Sequence, residues 1–191
     1  MKIHAITVLT ITAFAFAAGC ARQDSADETG EDTVAGTAGI DAAEAAAARE
    51  AELQKSLPPP DITPVTITVN LSPAAKAAFA ANGESILLDA VYGGDPTQAG
   101  QSRTNEMGVV ELGRVKREVG DGQPVTLAED VINKSLLAMT IGQPQLMVNV
   151  TSGRKTTQDN LLACDFYWET LAVAGAGGVT IPCKLLSEVA N

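Results

Sequence analysis

The chain has 191 residues, with 13 Lys and Arg against 23 Asp and Glu, for a formal net charge of −10. An acidic chain of this kind repels nucleic-acid backbones and anionic lipid heads, so nucleic-acid binding is not expected. Histidine occurs once, at His4, and aromatic residues make up 4% of the chain, which narrows the catalytic and metal chemistry available to it.

Residues 1–19 have the parts of a secretion leader. Lys2 supplies the positive start, and residues 6–18 are apolar but too short for the roughly 20 residues that span a bilayer. The leader ends in Ala17-Ala18-Gly19-Cys20. These four residues resemble the lipobox of bacterial lipoproteins, with Ala17 where that motif usually carries Leu. The resemblance implies cleavage before Cys20, acylation of Cys20 and a membrane anchor at that residue. Ordinary secretory cleavage would instead leave Cys20 a spare thiol. The cysteine at the cut itself and the acidic tether behind it favour the lipoprotein reading. Ala21 rather than Asp after the cysteine implies the outer membrane, facing the periplasm or the cell surface. One acyl chain binds only marginally and two or more hold stably, and lipoproteins of this class carry several.

Residues 20–61 form a tether. From 21 to 61 there are ten acids and three bases, whereas 62–191 hold thirteen and nine, so the tether is the more acidic part. Residues 21–39 have one large apolar residue, Val34, too little to offset the entropy of ordering, and are expected to be disordered. Residues 40–57 (IDAAEAAAAREAELQKSL) are strong helix formers with acids near the start and Lys55 near the end. Pro58-Pro59-Pro60 ends that helix. Ile40, Ala47 and Leu57 make a poor apolar seam, which favours a solvated spacer over a coiled-coil partner.

From Ile62 the period changes to two. Val65, Ile67, Val69 and Leu71 alternate with Thr66, Thr68 and Asn70, the mark of a half-buried strand. Ser72-Pro73 opens a short helix over 74–81 and Asn82-Gly83 closes it. Residues 86–92 are apolar on both faces apart from Asp89 and read as a central strand. Gly93-Gly94-Asp95-Pro96 reads as a turn, residues 96–107 as a polar loop, and 109–119 as a charged antiparallel or edge strand. Gly120-Asp121-Gly122 is the next turn. Ala128, Val131, Ile132, Leu136 and Met139 fall at helical spacing, with a strand as the competing reading. Leu146, Val148 and Val150 mark a strand, and 152–160 a polar loop. Val179, Ile181, Cys183 and Leu185 mark the last strand, in which Pro182 predicts an edge or a bulge. Gly175 to Gly178 reads as a flexible hairpin connection.

The expected architecture is therefore mostly β: a single antiparallel β-sandwich over 62–191, immunoglobulin-like by pattern, with one or two short helices, preceded by the Ala-rich helical tether. About 130 residues suffice for one core.

With Cys20 acylated, Cys164 and Cys183 remain as a pair in an oxidising compartment. Cys183 lies on the apolar face of its strand and Cys164 ends the run Leu161-Leu162-Ala163, so a buried structural disulfide is expected. A redox or metal role lacks Cys-x-x-Cys and further ligands.

Once the leader is gone no histidine remains, which removes Ser-His-Asp and Cys-His catalysis and histidine-based metal sites. Ser152-Gly153-Arg154-Lys155 matches Ser-x-x-Lys, but it follows a strand rather than opening a helix, and no Ser-Asp-Asn or Lys-Thr-Gly accompanies it. Asp165 and Glu169 would share a face only on a helix. Asp89, Asp95 and Asp121 form no calcium loop, and Gly175 to Gly178 lacks the features of a phosphate or dinucleotide loop. No enzyme, cofactor or metal is expected.

Phe166, Tyr167 and Trp168 are consecutive, so they cannot all face one core. The favoured reading places Phe166 and Trp168 in the core with Tyr167 capping it, and the other exposes at least one for partner contact. A lipid-anchored binding or structural module contacting an envelope protein or glycan is the first functional expectation, with Tyr167, Trp168, Arg154 and Lys155 as the contact surface. The alternative is a carboxylate-dependent hydrolase or an inhibitor of host hydrolases, acting through loops 97–106 or 151–159.

Overall fold

The computed structural model describes residues 37–190, with side chains from residue 42 onward. The expected leader 1–19, Cys20 and the acidic stretch 21–36 lie outside the described residues. Helix α1 (Thr37–Ser56) carries the Ala-rich segment. Among the described residues no helix is long and apolar enough to cross a membrane. The arm is not wholly free of the rest, because the backbone N–H of Gln98 donates to both carboxylate oxygens of Glu50, each at 3.0 Å.

The fold is mostly β, two four-stranded sheets around one core. Strand β1 (Val65–Leu71) turns Val65, Ile67 and Val69 inward, as its alternation requires. Helix α2 (Pro73–Asn82) begins where Ser72 Oγ accepts the Ala75 N–H at 3.1 Å. It ends at Gly83, at φ 68°, in the left-handed region where a glycine pays no Cβ penalty. Its buried residues are Ala75 and Phe79.

Strand β2 (Ile86–Pro96) runs between β3 (Val110–Val119) and β5 (Thr140–Ser152), so the central position expected for 86–92 is realised. The strand continues through Gly93-Gly94-Asp95-Pro96, where a turn was expected, with a register shift after Tyr92. The glycines serve close approach instead. A Cβ on Gly93 would lie 2.7 Å from Met147 Cε, and one on Gly94 2.7 Å from Thr140 Cγ2. Strand β3 is an edge, and its Arg114, Lys116, Arg117 and Glu118 suit an exposed margin.

Strand β4 (Pro124–Leu127) pairs with β1 and was not foreseen, being too short for alternation to register. Residues 129–131 and 134–139 are two 3-10 turns, neither the helix nor the strand considered. Asn133 separates them: its N–H donates to Leu112 O at 2.7 Å and its Oδ1 accepts the Ser135 N–H at 3.1 Å, pinning the chain to β3 before a helix can propagate.

Strands β6 (Leu162–Cys164) and β7 (Tyr167–Thr170) follow, then α3 (Leu171–Gly177), β8 (Val179–Leu185) and the single turn α4 (Leu186–Val189). Gly175 to Gly178 is not a hairpin connection. It is the end and cap of α3, which carries the chain from β7 in one sheet to β8 in the other.

The sheet orders are β4-β1-β8-β6 and β3-β2-β5-β7. Every pairing is antiparallel except β1 with β8, so the first and last strands lie side by side in parallel. That makes β8 interior and corrects the edge or bulge expected from Pro182. Pro182 O accepts the Asp165 N–H at 3.2 Å, just past the end of β6, so the missing proline donor falls where the ladder has already stopped. Cys164 and Cys183 are direct cross-strand partners, with Cα atoms 4.1 Å apart and sulfurs 2.02 Å apart. Val65, Ile67, Ile181 and Leu162 from one sheet meet Leu88, Tyr92, Leu146 and Val148 from the other in a continuous core.

Candidate binding groove

A second, smaller apolar cluster lies apart from the core, formed by Val91, Val109 and Met147. The pairing register places it on the outer face of the β3-β2-β5-β7 sheet. Arg114, Val91, Met147 and Trp168 stand in one row across that face, and Lys116, Asp89 and Asn149 in the next. Two residues separate the rows, about 7 Å along the strands.

Two segments turn this face into a groove. The loop before β3 folds back on itself, the Asn105 N–H donating to Val109 O at 2.9 Å and Asn105 Oδ1 accepting the Met107 N–H at 2.9 Å. Gly108, at φ 79°, completes the turn and leaves Met107 at its tip, 38% exposed. On the far side, Asp165 and Phe166 link β6 to β7. The disulfide ties the start of this link to β8. Strand alternation then sends Tyr167 toward the core and Phe166 and Trp168 outward.

Phe166 is 55% and Trp168 44% exposed, their ring centroids 6.2 Å apart and their planes perpendicular. This reverses the favoured sequence reading, in which those two rings filled the core and Tyr167 capped it. The parity of β7 is set by its register on β5, Tyr167 opposite Val148, which faces the core. Burial, with Glu169 nearby, pushes the Tyr167 hydroxyl above its usual range.

The resulting cleft has a volume of about 300 Å³. Val91 and Met147 form its floor, Met107 and Phe166 its walls, and Asp89, Arg114 and Asn149 its polar side. Arg114 Nε donates to Asp89 Oδ1 at 2.9 Å, and Lys116 Nζ stands 3.9 Å from Asp89 Oδ2. The Trp168 indole N–H donates to Gln145 Oε1, and Gln145 Nε2 donates to Asp95 Oδ2 at 3.2 Å. These bonds link the polar side chains along the rim to one another.

Of the contact residues expected from sequence, Trp168 borders this groove. Tyr167 packs into the core, and Arg154 and Lys155 lie elsewhere, beyond the far end of β5 at Ser152. Arg154 is exposed at φ 57°. Lys155 Nζ is paired with Glu118 Oε2 at 2.7 Å. The backbone of this loop is clamped by Glu84, whose carboxylate accepts from the N–H groups of Ser85, Lys155 and Thr156 and from Thr156 Oγ1 at 2.8–3.1 Å. Desolvation pushes the Glu84 carboxyl up, but these four bonds outweigh it and hold the pKa at about 2.

The catalytic patterns weighed in the sequence are also placed. Ser152 ends a strand, is 0% exposed, and has its Oγ accepting the Leu161 N–H at 3.0 Å, so Ser152 and Lys155 form no nucleophilic pair. Asp165 precedes β7 and Glu169 lies within it, so no helix aligns them. Asp89 is held by Arg114, Asp95 by Gln145, and Asp121 by Lys76 at 2.6 Å and the Leu71 N–H at 2.8 Å. Among the described residues no three His, Cys, Asp or Glu side chains gather as a metal site would need.

Sequence reading missed Met107, Phe166, Val91 and Met147 as one surface. A signal was present in residues 86–92, apolar on both faces. A strand with an outward Val91 needs something on its outer side as well as a core on its inner one. No family model, curated protein or solved structure matches the chain.

Proposed function

We propose that the protein is a lipid-anchored module of the cell envelope that binds a partner in the groove on the outer face of the second sheet, without catalysing a reaction. The observation that carries this reading is the exposed pair Phe166 and Met107 standing over an apolar floor, with exposed Trp168 beside them. Large apolar side chains held in water beside fixed polar groups are the composition of binding hot spots. Acylation of Cys20 would hold the module at the outer membrane, and the acidic tether would set its distance from the bilayer.

The test is a photo-crosslinking amino acid at position 107 of the full chain, illuminated in intact cells. A discrete adduct that vanishes when Phe166 becomes Ala supports the reading. An adduct pattern no different from that of a probe at exposed Asn82 removes it.

The inhibitor reading keeps one observation of its own. The Glu84 clamp presents exposed Arg154 on a fixed loop, the kind of preorganised projection that enters an enzyme cleft at low entropic cost. Screening lysozymes and proteases for inhibition, with Arg154→Ala as the control, decides it.

A further inference from the structure

We propose that the ligand of this groove is a neutral saccharide, seated with one sugar ring between Phe166 and the polar row Asp89–Asn149. This rests on the groove reading above and names the class of its ligand. Continuing the β5–β7 register past Val148–Tyr167 brings Phe166 beside Asn149, so an upright aromatic ring and a hydrogen-bonding row flank the same space. A pyranose has matching chemistry: an apolar face of axial C–H groups and a rim of hydroxyls that both donate and accept.

The polar groups fit that rim. Asn149 is exposed and its amide makes no hydrogen bond among the described residues, leaving two donors and an acceptor open. Arg114 reaches Asp89 through Nε, which leaves its terminal amino groups to donate, while Asp89 Oδ2 has only the distant Lys116 at 3.9 Å. Vicinal hydroxyls can bridge such a carboxylate–guanidinium pair, one donating and one accepting.

Charge and size argue against the competitors. The cleft lining carries one carboxylate and one guanidinium, paired at 2.9 Å, so a basic ligand finds no free carboxylate there, and the one further cation, Lys116, stands beside Asp89 outside the lining. Three of its seven lining residues are polar hydrogen-bonding side chains, and an apolar peptide anchor would cover the Asn149 amide without giving it a partner, at a cost. At about 300 Å³ it stands at the lower limit of ligand clefts, enough for a ring-sized group with the rest of a polymer lying outside. Addition of a peptide strand is disfavoured too. The neighbouring edge, β7, has four residues and places the charge of Glu169 opposite core-facing Leu146.

Trp168 is the only tryptophan in the chain and touches the groove wall through Phe166, 6.2 Å away between ring centroids, so its emission reports on that wall. The experiment titrates the full chain in detergent with soluble oligomers of β-1,4-N-acetylglucosamine, β-1,4-glucose and α-1,4-glucose. At least one is expected to shift Trp168 emission saturably. Phe166→Ala is expected to weaken it about tenfold, the worth of one aromatic contact. Asp89→Ala and Asn149→Ala should each weaken it as well, and unchanged melting temperatures would show that the variants fold. Binding should survive salt of about 1 M, where the screening length is about 3 Å. Failure of all three sugars, or binding that ignores Phe166→Ala, overturns the saccharide assignment. If a random peptide library shifts the emission instead, in a Phe166-dependent way, the groove reading stands without the sugar. If neither shifts it, both fall.

Discussion

Single residues fix local geometry here through contacts that substitution can test. Glu84 is held at about 2 against an ordinary value of 4.5, through bonds from Ser85, Lys155 and Thr156 that favour its charged form. A carboxyl lowered in the folded state stabilises the fold above its unfolded pKa and loses that contribution as pH falls from about 4.5 toward 2. Urea midpoints should therefore drop over that window in the native protein, and Glu84→Gln should flatten this part of the profile. Because the carboxylate is well solvated, the loss at neutral pH is set at about 1 kcal/mol rather than the full shift. Gly113 acts through space instead. A Cβ there would sit 2.3 Å from the Val131 carbonyl oxygen, a backbone atom that cannot swing aside. Gly113→Ala is expected to cost about 2 kcal/mol or more, read as a lowered thermal midpoint. Gly177→Ala, with nothing within 4 Å, should be nearly silent.

At the level of elements, the shortest strands are the least self-sufficient. Strand β6 has three residues and is the margin of its sheet, yet it positions the link that carries Phe166. The disulfide to β8 holds it there. Replacing Cys164 and Cys183 together by Ser should lower stability by about 3 kcal/mol, the entropy of opening a loop of roughly 20 residues. Reductant should reproduce the loss in the native protein and leave the double variant unchanged, as followed by urea denaturation. Much of the element pattern was legible beforehand. Strand β1 occupies the residues its alternation marks, and α2 starts at Ser72 and stops at Gly83 because caps are local chemistry. The failures share a cause: β4, β6 and β7 have four, three and four residues, too few for a period of two to show. Gly93-Gly94 looked like a turn because sequence cannot distinguish a glycine that bends the chain from one that admits a neighbour's side chain.

For the whole molecule, the two sheets separate the core from the candidate groove. The inner faces share one core, while the outer face of the second sheet carries its own apolar cluster and the exposed rings. The edges of the second sheet are guarded, β3 by charge and β7 by brevity and Glu169, which leaves its outer face as the part of that sheet suited to the proposed partner. The proposed anchor belongs to this scale. Cys20→Ser should move the protein from the membrane to the soluble fraction and abolish incorporation of a labelled fatty acid. Retention of label would place the acyl group elsewhere.

Local chemistry was readable from sequence alone: strand alternation, helix caps, the charged edge, the cysteine pair and the single histidine at position 4. The first three depend on residues within a turn or a strand of one another, and the last two on counting residue types. The partners of those strands were not readable. Alternation says that Phe166 and Trp168 face opposite to Tyr167, but only pairing with β5 shows which side is the core. The groove likewise draws Val91, Met107, Met147 and Phe166 from four separate segments. Their meeting follows from long-range strand order, which no local pattern encodes.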